Sequence, residues 1–589
     1  SSAASDVYKR QRQLDGFAAA WSEASTALCT AGDVDHELTA VRRRCLERQR
    51  DALDAVSGAF SDAPDFDLTQ ASNLASALPR PETCSELNDI DAPEGTEVQL
   101  LIDAQQRLAR AQALHRAGLS RDGVKLATRV LSDLEGAYAP RLKAKAHLWK
   151  AARLRFSDRY DEALVETRAA QVDAAHSGDD DLQVLGWLDR AYHTQSATPE
   201  EHTLQDAQLE AAELALLRAG DPPELRIRYL MRKASSLSAR GAPRDAIATI
   251  DQTLALAQTH PPRAMILSNI YNLRAIGFIR VDDRLRAQAD FQRAHDTLEN
   301  AYGPYHPTLS QSRNNLGHVC LELGDLECAR STLETSQRIL EAALEPNLPS
   351  TAVVLGLLST VAFRQDRFDE AQRYARASLA TVAQGNLGGT AIVLTSSELL
   401  LRVLSHRKDW DAGEAEVQRL LAWNEQHHTG TARSAEALLL AAQFDENRGE
   451  YIPALEFVQR ARSILQRHLE PPHADLVDVW RIEANLHRGL GHLEKAESAL
   501  ALAEDMISGL EDASQYDRAQ LQLSRIQLLG TTDQVLRASE LALELLRTFD
   551  DPQPAATELR ERLTKWMRKH DVAVPKNPAA IPVAPLSPG

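Results

Sequence analysis

Apolar residues recur three and four positions apart along most of the chain, which is the spacing of one face of an amphipathic α-helix. Residues 302–343 show two such helical patterns separated by a tight turn at Gly324 and Asp325. Each predicted helix has a single apolar stripe, so one hairpin needs neighbouring hairpins to bury it. The apolar positions are Leu309, Leu316, Val319 and Leu323 in the first helix, and Leu326, Ala329, Leu333, Ile339 and Leu340 in the second.

A small residue early in the second helix marks the same place in each hairpin. Ala329 is this mark in residues 302–343, and equivalent residues recur at intervals of 39 to 44, most often 42. Ala207 fits the pattern least well, and Ala287 lies in a turn one residue out of register. A period near 42 over most of the chain predicts a helical repeat array. The marks are Gly123, Ala163, Ala207, Ala246, Ala287, Ala329, Ala371, Gly413, Ala454, Ala496 and Ala538.

Composition and charge narrow the class of protein. Aromatic residues make up only 5% of the 589 residues, and the formal net charge is −18. The acidic balance argues against a nucleic-acid binder, which needs a basic face for phosphate, and against docking on anionic lipid. No run of 18 apolar residues is present, so no membrane span is expected in this chain. The chain is too long for one compact core, but a repeat array accommodates this length because each hairpin packs only on its neighbours.

Four regions follow from the pattern. Residues 1–11 are expected to be a non-native leader, with the true start of the protein upstream, and residues 12–97 a helical cap or spacer. Residues 98–570 are expected to form about eleven hairpins. Residues 571–589 are rich in proline and are expected to be disordered.

The five cysteines give no metal-binding spacing. Cys320 and Cys328 fall within repeat helices and are interpreted as small buried core residues. A disulfide among Cys29, Cys45 and Cys84 is possible in an oxidising compartment, and the odd number leaves one thiol unpaired.

The repeats resemble the tetratricopeptide repeat. Leu316, Gly317, Gly324, Leu326 and Ala329 carry the resemblance in one unit, and the 42-residue period is similar to that of kinesin light chains. Gly449, Tyr451, Ala454 and Ala461 carry it in another unit. The resemblance implies an all-α fold, a right-handed superhelical solenoid of antiparallel helix hairpins, whose first helices line a concave wall.

The N-terminal segment has a second resemblance. Trp21, Cys29, residues 42–49 and Cys84 are similar to the region that follows the kinase domain in myxobacterial serine/threonine kinases with repeat tails. This resemblance implies that the chain is the regulatory region of a signalling kinase. The location would then be cytoplasmic, or on the envelope side of a membrane-anchored parent.

No catalytic motif is found in this sequence. A kinase requires a glycine-rich loop, a strand lysine, His-Arg-Asp and Asp-Phe-Gly, and this set is absent. His427 and His428 are adjacent, so in a helix they point in different directions and are not expected to share a metal ion. His306 and His473 lie in loops, where they are expected to cap or pack. We expect no enzyme activity, no metal and no cofactor.

The remaining candidate for function is the surface of the first helices. Asparagine and glutamine amides both donate and accept hydrogen bonds, so they can pair with the backbone of a bound peptide. The alternative for each residue is an ordinary solvated helix face. The predicted groove residues are Asn272, Asn314, Asn315, His318, Arg402, Gln443 and Asn485.

The sequence therefore predicts a scaffold that binds a protein or peptide, with self-association also possible. Nucleic acid is not expected as a partner, and neither is direct membrane contact. The acidic excess favours a neutral or basic partner. Two alternatives are a fragment of an active protein kinase and the repeat tail of a transcription regulator.

Overall fold

A computed structural model describes most of the chain. Its described residues are 2–30, 43, 46, 47, 49, 50, 53, 96–116, 120–155, 159–194, 199–342, 348–385, 391–427, 432–469, 471–510, 515–532, 534–548 and 554–573. The regular elements of these residues are all α-helices, so the predicted all-α fold class is confirmed.

We number the helices α1 to α24 in chain order. They are Ser2–Thr30, Thr96–Arg116, Ser120–Asp133, Pro140–Arg155, Tyr160–Ser177, Asp180–His193, Pro199–Arg218, Pro223–Ala239, Pro243–Thr259, Ala264–Arg280, Arg284–Tyr302, Leu309–Glu322, Leu326–Glu341, Leu348–Arg364, Phe368–Gly385, Ala391–Arg407, Trp410–His427, Ala432–Arg448, Tyr451–His468, Ala474–Gly489, Leu493–Ser508, Gln515–Thr531, Val535–Thr548 and Pro554–Lys569.

From α2 onward the helices alternate as first and second members of hairpins, with even numbers for first helices and odd numbers for second helices. They form two compact units. Unit 1 comprises Ser1–Gly277, Ala289–Arg313 and Thr335–Thr351; unit 2 comprises Phe278–Gln288, Asn314–Glu334 and Ala352–Gly589. Within each unit a first helix packs on its own second helix and on the next first helix, as α20 does on α21 and α22. This contact pattern buries the single stripe of each helix.

The register mark of the sequence has a structural meaning. In ten of the eleven second helices that the structure describes, it is the fourth helical residue, and Ala287 takes this position despite its shifted turn. The alanines at this position are buried, because a first helix approaches closely there. Ala207 is exposed, so its assignment is wrong. In α7 the residue Gln205 is buried instead, and its side-chain amide donates to the carbonyl of Ala191 at 2.8 Å.

In each hairpin turn that the structure describes in full, a residue with positive φ ends the first helix. Gly324 and Gly449 supply it with φ of 77° and 88°, and Asp366 takes the same position with φ of 58°. Glycine adopts this conformation without the steric penalty of a Cβ atom, which explains its recurrence between the helical patterns.

The two loop histidines cap and pack, as expected. His306 is buried, accepts a hydrogen bond on Nδ1 from the Thr308 backbone N–H at 3.2 Å, and stacks on Tyr302. His473 precedes α20 and accepts from the Asp475 backbone N–H at 3.2 Å. Both side chains therefore satisfy backbone donors at the start of a helix.

The cysteines differ from the sequence interpretation. Cys320 and Cys328 form a disulfide between α12 and α13, with Cα atoms 5.9 Å apart. Cys320 is buried, as interpreted, and Cys328 is half-buried. The interpretation did not include their disulfide, which forms because the hairpin turn brings these two positions side by side. Cys29 is exposed and has a free thiol. Cys45 and Cys84 lie outside the described residues, so a disulfide between these two remains a prediction.

His295 gives a testable pH dependence. It is buried in α11, where Nδ1 lies 3.1 Å from Ser312 Oγ. Burial lowers the pKa of His295, and nearby Arg313 adds to the effect. The unfolded chain therefore takes up this proton first, and stability falls as the pH drops below about 6.5. We expect His295→Gln to be less stable than the wild type at pH 8, with a difference that narrows towards pH 5.

Urea unfolding between pH 8 and pH 5 measures this difference. His260→Gln is the matched control, because His260 is exposed. A His295→Gln protein whose stability runs parallel to that of the wild type over the whole range would contradict the assignment.

Candidate protein-binding surface on the first helices

Two consecutive first helices of unit 2, α16 and α18, share one surface. Arg402 of α16 and Gln443 of α18 lie 41 residues apart, at equivalent positions of the repeat, and both line this surface. Amide, hydroxyl and charged groups thus alternate with leucine side chains. The surface is lined by Glu398, Leu401, Arg402, Ser405, Leu440, Gln443, Phe444 and Asn447.

Arg402 lies at the centre of this surface and is held on two sides. Its Nη1 is 3.8 Å from Glu398 Oε1, one turn earlier on α16. Its guanidinium carbon lies 5.0 Å from the ring centre of Phe363 on α14, a cation–π distance. These contacts restrain the side chain before any partner arrives, which reduces the entropy lost on binding.

The shape of this surface argues against a small-molecule site. The hollow between α16 and α18 is only about 10 Å³. Ligand pockets usually measure about 300–1,000 Å³. The surface therefore suits side chains and backbone of a partner that lies across it.

A larger cavity of about 310 Å³ lies between α15, α16 and α17. Leu379, Leu400 and Leu404 line part of it, and Ala412 and Ala415 leave the space open. Two of its charged groups are paired with each other, since Arg419 Nε donates to Glu416 Oε2 at 2.8 Å, and Arg419 Nη2 donates to Ser397 Oγ at 2.9 Å. This arrangement leaves those groups little capacity to bind a further ligand.

The structure brings together only two of the predicted groove residues, Arg402 and Gln443. His318 is exposed on α12, and Asn315 of the same helix is half-buried. Asn272 is half-buried in unit 1, and its side-chain amide donates to Ser268 Oγ at 3.5 Å.

Two predicted groove residues are covered by the fold. Asn314 is 5% exposed and Asn485 is 7% exposed, contrary to the expectation that they lie outside the packed stripe. Asn485 is covered because α20 packs against α19, α21 and α22. Neither amide can be a main contact for a partner.

Sequence reasoning missed Glu398, Ser405, Leu440 and Asn447. A signal for them was present, because residues three, four and seven positions apart share one face of a helix. Glu398 and Ser405 stand in this spacing around Arg402, and Asn447 follows Gln443 by four. The helical spacing around Arg402 and Gln443 could therefore have predicted the other polar residues on this face of α16 and α18.

The described residues offer little other chemistry. Within the described residues, no group of three or more His, Cys, Asp or Glu side chains could hold a metal ion. His427 Nδ1 lies 2.9 Å from the Trp423 carbonyl oxygen, as expected for a structural histidine at a helix end; His428 lies outside the described residues. Of the helices that the structure describes, each is too short or too polar to cross a lipid bilayer.

A family model assigns part of this array. The model of the tetratricopeptide repeat matches residues 266–342 and 314–384. Residues 266–384 are therefore similar to tetratricopeptide repeats. This assignment confirms the resemblance stated from the sequence for these residues, and the tetratricopeptide repeat is not an enzyme family. No curated protein matches the sequence.

Solved structures with similar chains include three from named organisms. The apo form of the quorum sensor NprR from B. thuringiensis is 13% identical, with a TM-score of 0.42, over 62% of this chain and 98% of that one. A signal transduction ATPase with a tetratricopeptide repeat sensor from Pyrococcus horikoshii is 11% identical, with a TM-score of 0.41, over 71% and 73%. BtubC from P. vanneervenii is 17% identical, with a TM-score of 0.33, over 40% and 92%.

Proposed function

We propose that this protein is a non-catalytic scaffold that binds a partner protein across its first helices. The observation that supports the proposal is the shared surface of α16 and α18, where equivalent repeat positions place Arg402 beside Gln443. Polar groups that alternate with leucines suit a peptide backbone and its side chains together. The similarity of residues 266–384 to tetratricopeptide repeats is consistent with a scaffold built from stacked hairpins.

Binding energy at such a surface is expected to come from a few anchors. Arginine is a frequent anchor because its planar guanidinium combines several donors with an apolar face. Arg402 is already restrained by Glu398 and Phe363, so its donors are presented with little further loss of freedom. Gln443 is exposed and can pair with a peptide group through both its amide nitrogen and its oxygen.

The test uses peptides selected against the full chain from a random twelve-residue display library. The double variant Arg402→Ala and Gln443→Ala should bind the selected peptides about tenfold to a hundredfold more weakly than the wild type, the range of two moderate anchors. Calorimetric titration with each purified peptide measures the affinity.

The control variant carries the same two changes on a second helix. Gln459→Ala with Arg460→Ala removes one amide and one cation from exposed positions of α19. It should bind as the wild type does. Equal affinities for both double variants would rule out the surface between α16 and α18.

We also propose that the scaffold is the regulatory or sensor region of a bacterial serine/threonine kinase. The similarity of Trp21, Cys29, residues 42–49 and Cys84 to the region after such kinase domains supports this. Sequencing the reading frame upstream tests it. A frame with the glycine-rich loop, His-Arg-Asp and Asp-Phe-Gly supports the proposal, whereas a helix-turn-helix domain would favour a transcription regulator and a stop codon would remove the kinase.

A further inference from the structure

The cavity of about 310 Å³ in unit 2 lies between two consecutive second helices, α15 and α17, against the first helix α16. Its lining includes three leucines: Leu379 of α15, and Leu400 and Leu404 of α16. Leu400 and Leu404 belong to the packed core, with 4% and 1% of their surface exposed, so packing holds them in place. Small-molecule sites usually measure about 300–1,000 Å³. The cavity is therefore large enough for a small ligand, unlike the hollow between α16 and α18.

The small side chains of α17 keep this cavity open. Ala412 and Ala415 line it, one position before and two positions after the mark Gly413. In every other marked second helix, at least one of these two positions holds a residue larger than alanine; in α15 they are Glu370 and Arg373. Larger side chains at these places on α17 would reach into the space next to α15. The opening is therefore a property of this hairpin and not of the repeat in general.

The charged groups at the edge of the cavity do not balance. They are Arg376 of α15, and Glu416 and Arg419 of α17. Both oxygens of Glu416 accept hydrogen bonds from Arg419, one from Nε at 2.8 Å and one from Nη2. Arg376 makes neither an ion pair nor a hydrogen bond with any residue that the structure describes. One positive charge is therefore left without a partner at the edge of the cavity.

The position of Arg376 beside a leucine-lined space selects the chemistry of a ligand. An exposed arginine alone is satisfied by water and would indicate no ligand. A hydrocarbon chain placed against the leucines would leave water, while an anionic head group could stay at the edge beside Arg376. A carboxylate suits a guanidinium because its two oxygens can accept two parallel hydrogen bonds. A cationic head group would be repelled there.

We propose that this cavity binds a small amphipathic carboxylate, with its hydrocarbon chain against the three leucines and its head group at Arg376. The proposal goes beyond the scaffold function and does not depend on it. Leu400 and Leu404 lie on a different face of α16 from Arg402, so the cavity and the surface between α16 and α18 are separate sites.

The experiment titrates the full chain calorimetrically with hexanoate, octanoate, decanoate, octanamide and octylammonium. Each buried methylene group strengthens binding about fourfold, so octanoate should bind about tenfold to twentyfold more tightly than hexanoate. Octanoate should also bind about threefold to fivefold more tightly than neutral octanamide, the upper range for an exposed ion pair. Octylammonium should bind more weakly than octanamide.

Ala415→Leu tests the space for the chain. Ala415 is exposed, so a leucine there can be accommodated by the fold while it occupies the cavity. The variant should bind octanoate at least about tenfold more weakly, because the chain and the new side chain would need the same volume. Ala380→Leu is the matched control on α15, at an exposed position outside the cavity lining, and should bind as the wild type does. Circular dichroism establishes that each variant is folded, and Ala412→Leu replaces Ala415→Leu if that variant does not fold.

Arg376→Gln tests the head group. It should weaken octanoate binding about threefold to fivefold and leave octanamide binding unchanged, because only the carboxylate loses an ion pair. Arg373→Gln is its control, since Arg373 is exposed on the same helix but does not line the cavity. It should leave both affinities unchanged.

Three results would overturn the proposal: equal affinities for hexanoate and octanoate, wild-type affinity in Ala415→Leu, or octylammonium that binds as tightly as octanoate. Two other occupants would also overturn it. A capped Leu-Leu-Glu-Leu-Leu peptide that binds more tightly than decanoate would assign the cavity to a partner protein, and self-association that Ala415→Leu abolishes in light scattering would assign it to a second copy.

The double variant at Arg402 and Gln443 separates this proposal from the scaffold surface, because it should bind octanoate as the wild type does. If the selected peptides ignore that double variant while octanoate still responds to Ala415→Leu, only the assignment of the α16 and α18 surface fails.

Discussion

Replacing Phe444 with alanine is expected to lower the free energy of unfolding of the surrounding hairpins by about 3–5 kcal/mol, the usual range for removing a fully buried phenylalanine. Phe444 lies on α18 and is among the largest fully buried side chains. Its ring packs directly on the backbone of α17 at Gly413, and Trp410 meets it edge-on with ring centres 6.0 Å apart. A backbone cannot move in to fill the space, so a cavity would remain.

Urea unfolding combined with hydrogen exchange in α17 and α18 measures this loss, because helical arrays can open locally rather than as one unit. Leu536→Ala is the control: this leucine is exposed on α23, so its truncation should change stability by no more than about 0.5 kcal/mol. Equal effects of the two variants would contradict the role assigned to Phe444.

The same contact makes Gly413 sensitive to a single methyl group. A Cβ atom at Gly413 would lie 2.2 Å from Phe444 Cε2 and Cζ. Gly413→Ala should therefore be destabilising by about 1–3 kcal/mol, although alanine is the better helix former by about 1 kcal/mol. Gly356→Ala is the counterpart with the opposite sign. The nearest atom to a Cβ there is Ser396 Oγ at 3.7 Å, so only the helix-propensity gain remains.

Replacing Asp290 with alanine is expected to destabilise unit 1 by about 3–5 kcal/mol, the range for breaking a buried ion pair. Asp290 is 1% exposed and accepts two hydrogen bonds from Arg274, at 2.6 and 3.0 Å, and one from Arg293 at 2.7 Å. The hydrogen bonds to Asp290 raise the pKa of Arg274. Removal of the carboxylate leaves a largely covered guanidinium with less compensation.

Asp251 provides a control on the same arginine. It accepts from Arg274 Nη1 at 2.7 Å, but its side chain is 54% exposed. Asp251→Ala should cost only about 0–1 kcal/mol, because water replaces an exposed partner. Urea unfolding of the two variants side by side measures the difference. If both variants lose the same stability, burial does not determine the strength of these pairs.

Much of the repeat was accessible from the sequence because the packing is local. The buried stripe of a helix that contacts only its neighbours appears in the sequence as a periodic series of apolar residues. The point where the neighbouring helix comes closest appears as a small residue such as Ala329. Ala207 failed as a mark because α7 is longer at its start, so a different turn of the helix lies at the contact. The candidate surface was only partly predicted. In the sequence, an asparagine such as Asn485 counts as a polar position whether or not a neighbouring helix covers its side chain in the fold.

The all-α class, the period near 42 residues and the positions of the hairpin turns follow from the sequence alone, since these depend on residues a few positions apart. The folded chain was needed to show which polar side chains are covered, that Cys320 is bonded to Cys328, and that Arg155 and Arg232 lie against one tyrosine. These features depend on residues that are distant in the chain or on which side of a helix a neighbour covers. Such contacts leave no short-range pattern in the sequence. Their energy comes from burial of side chains and from interactions of charges on separate helices.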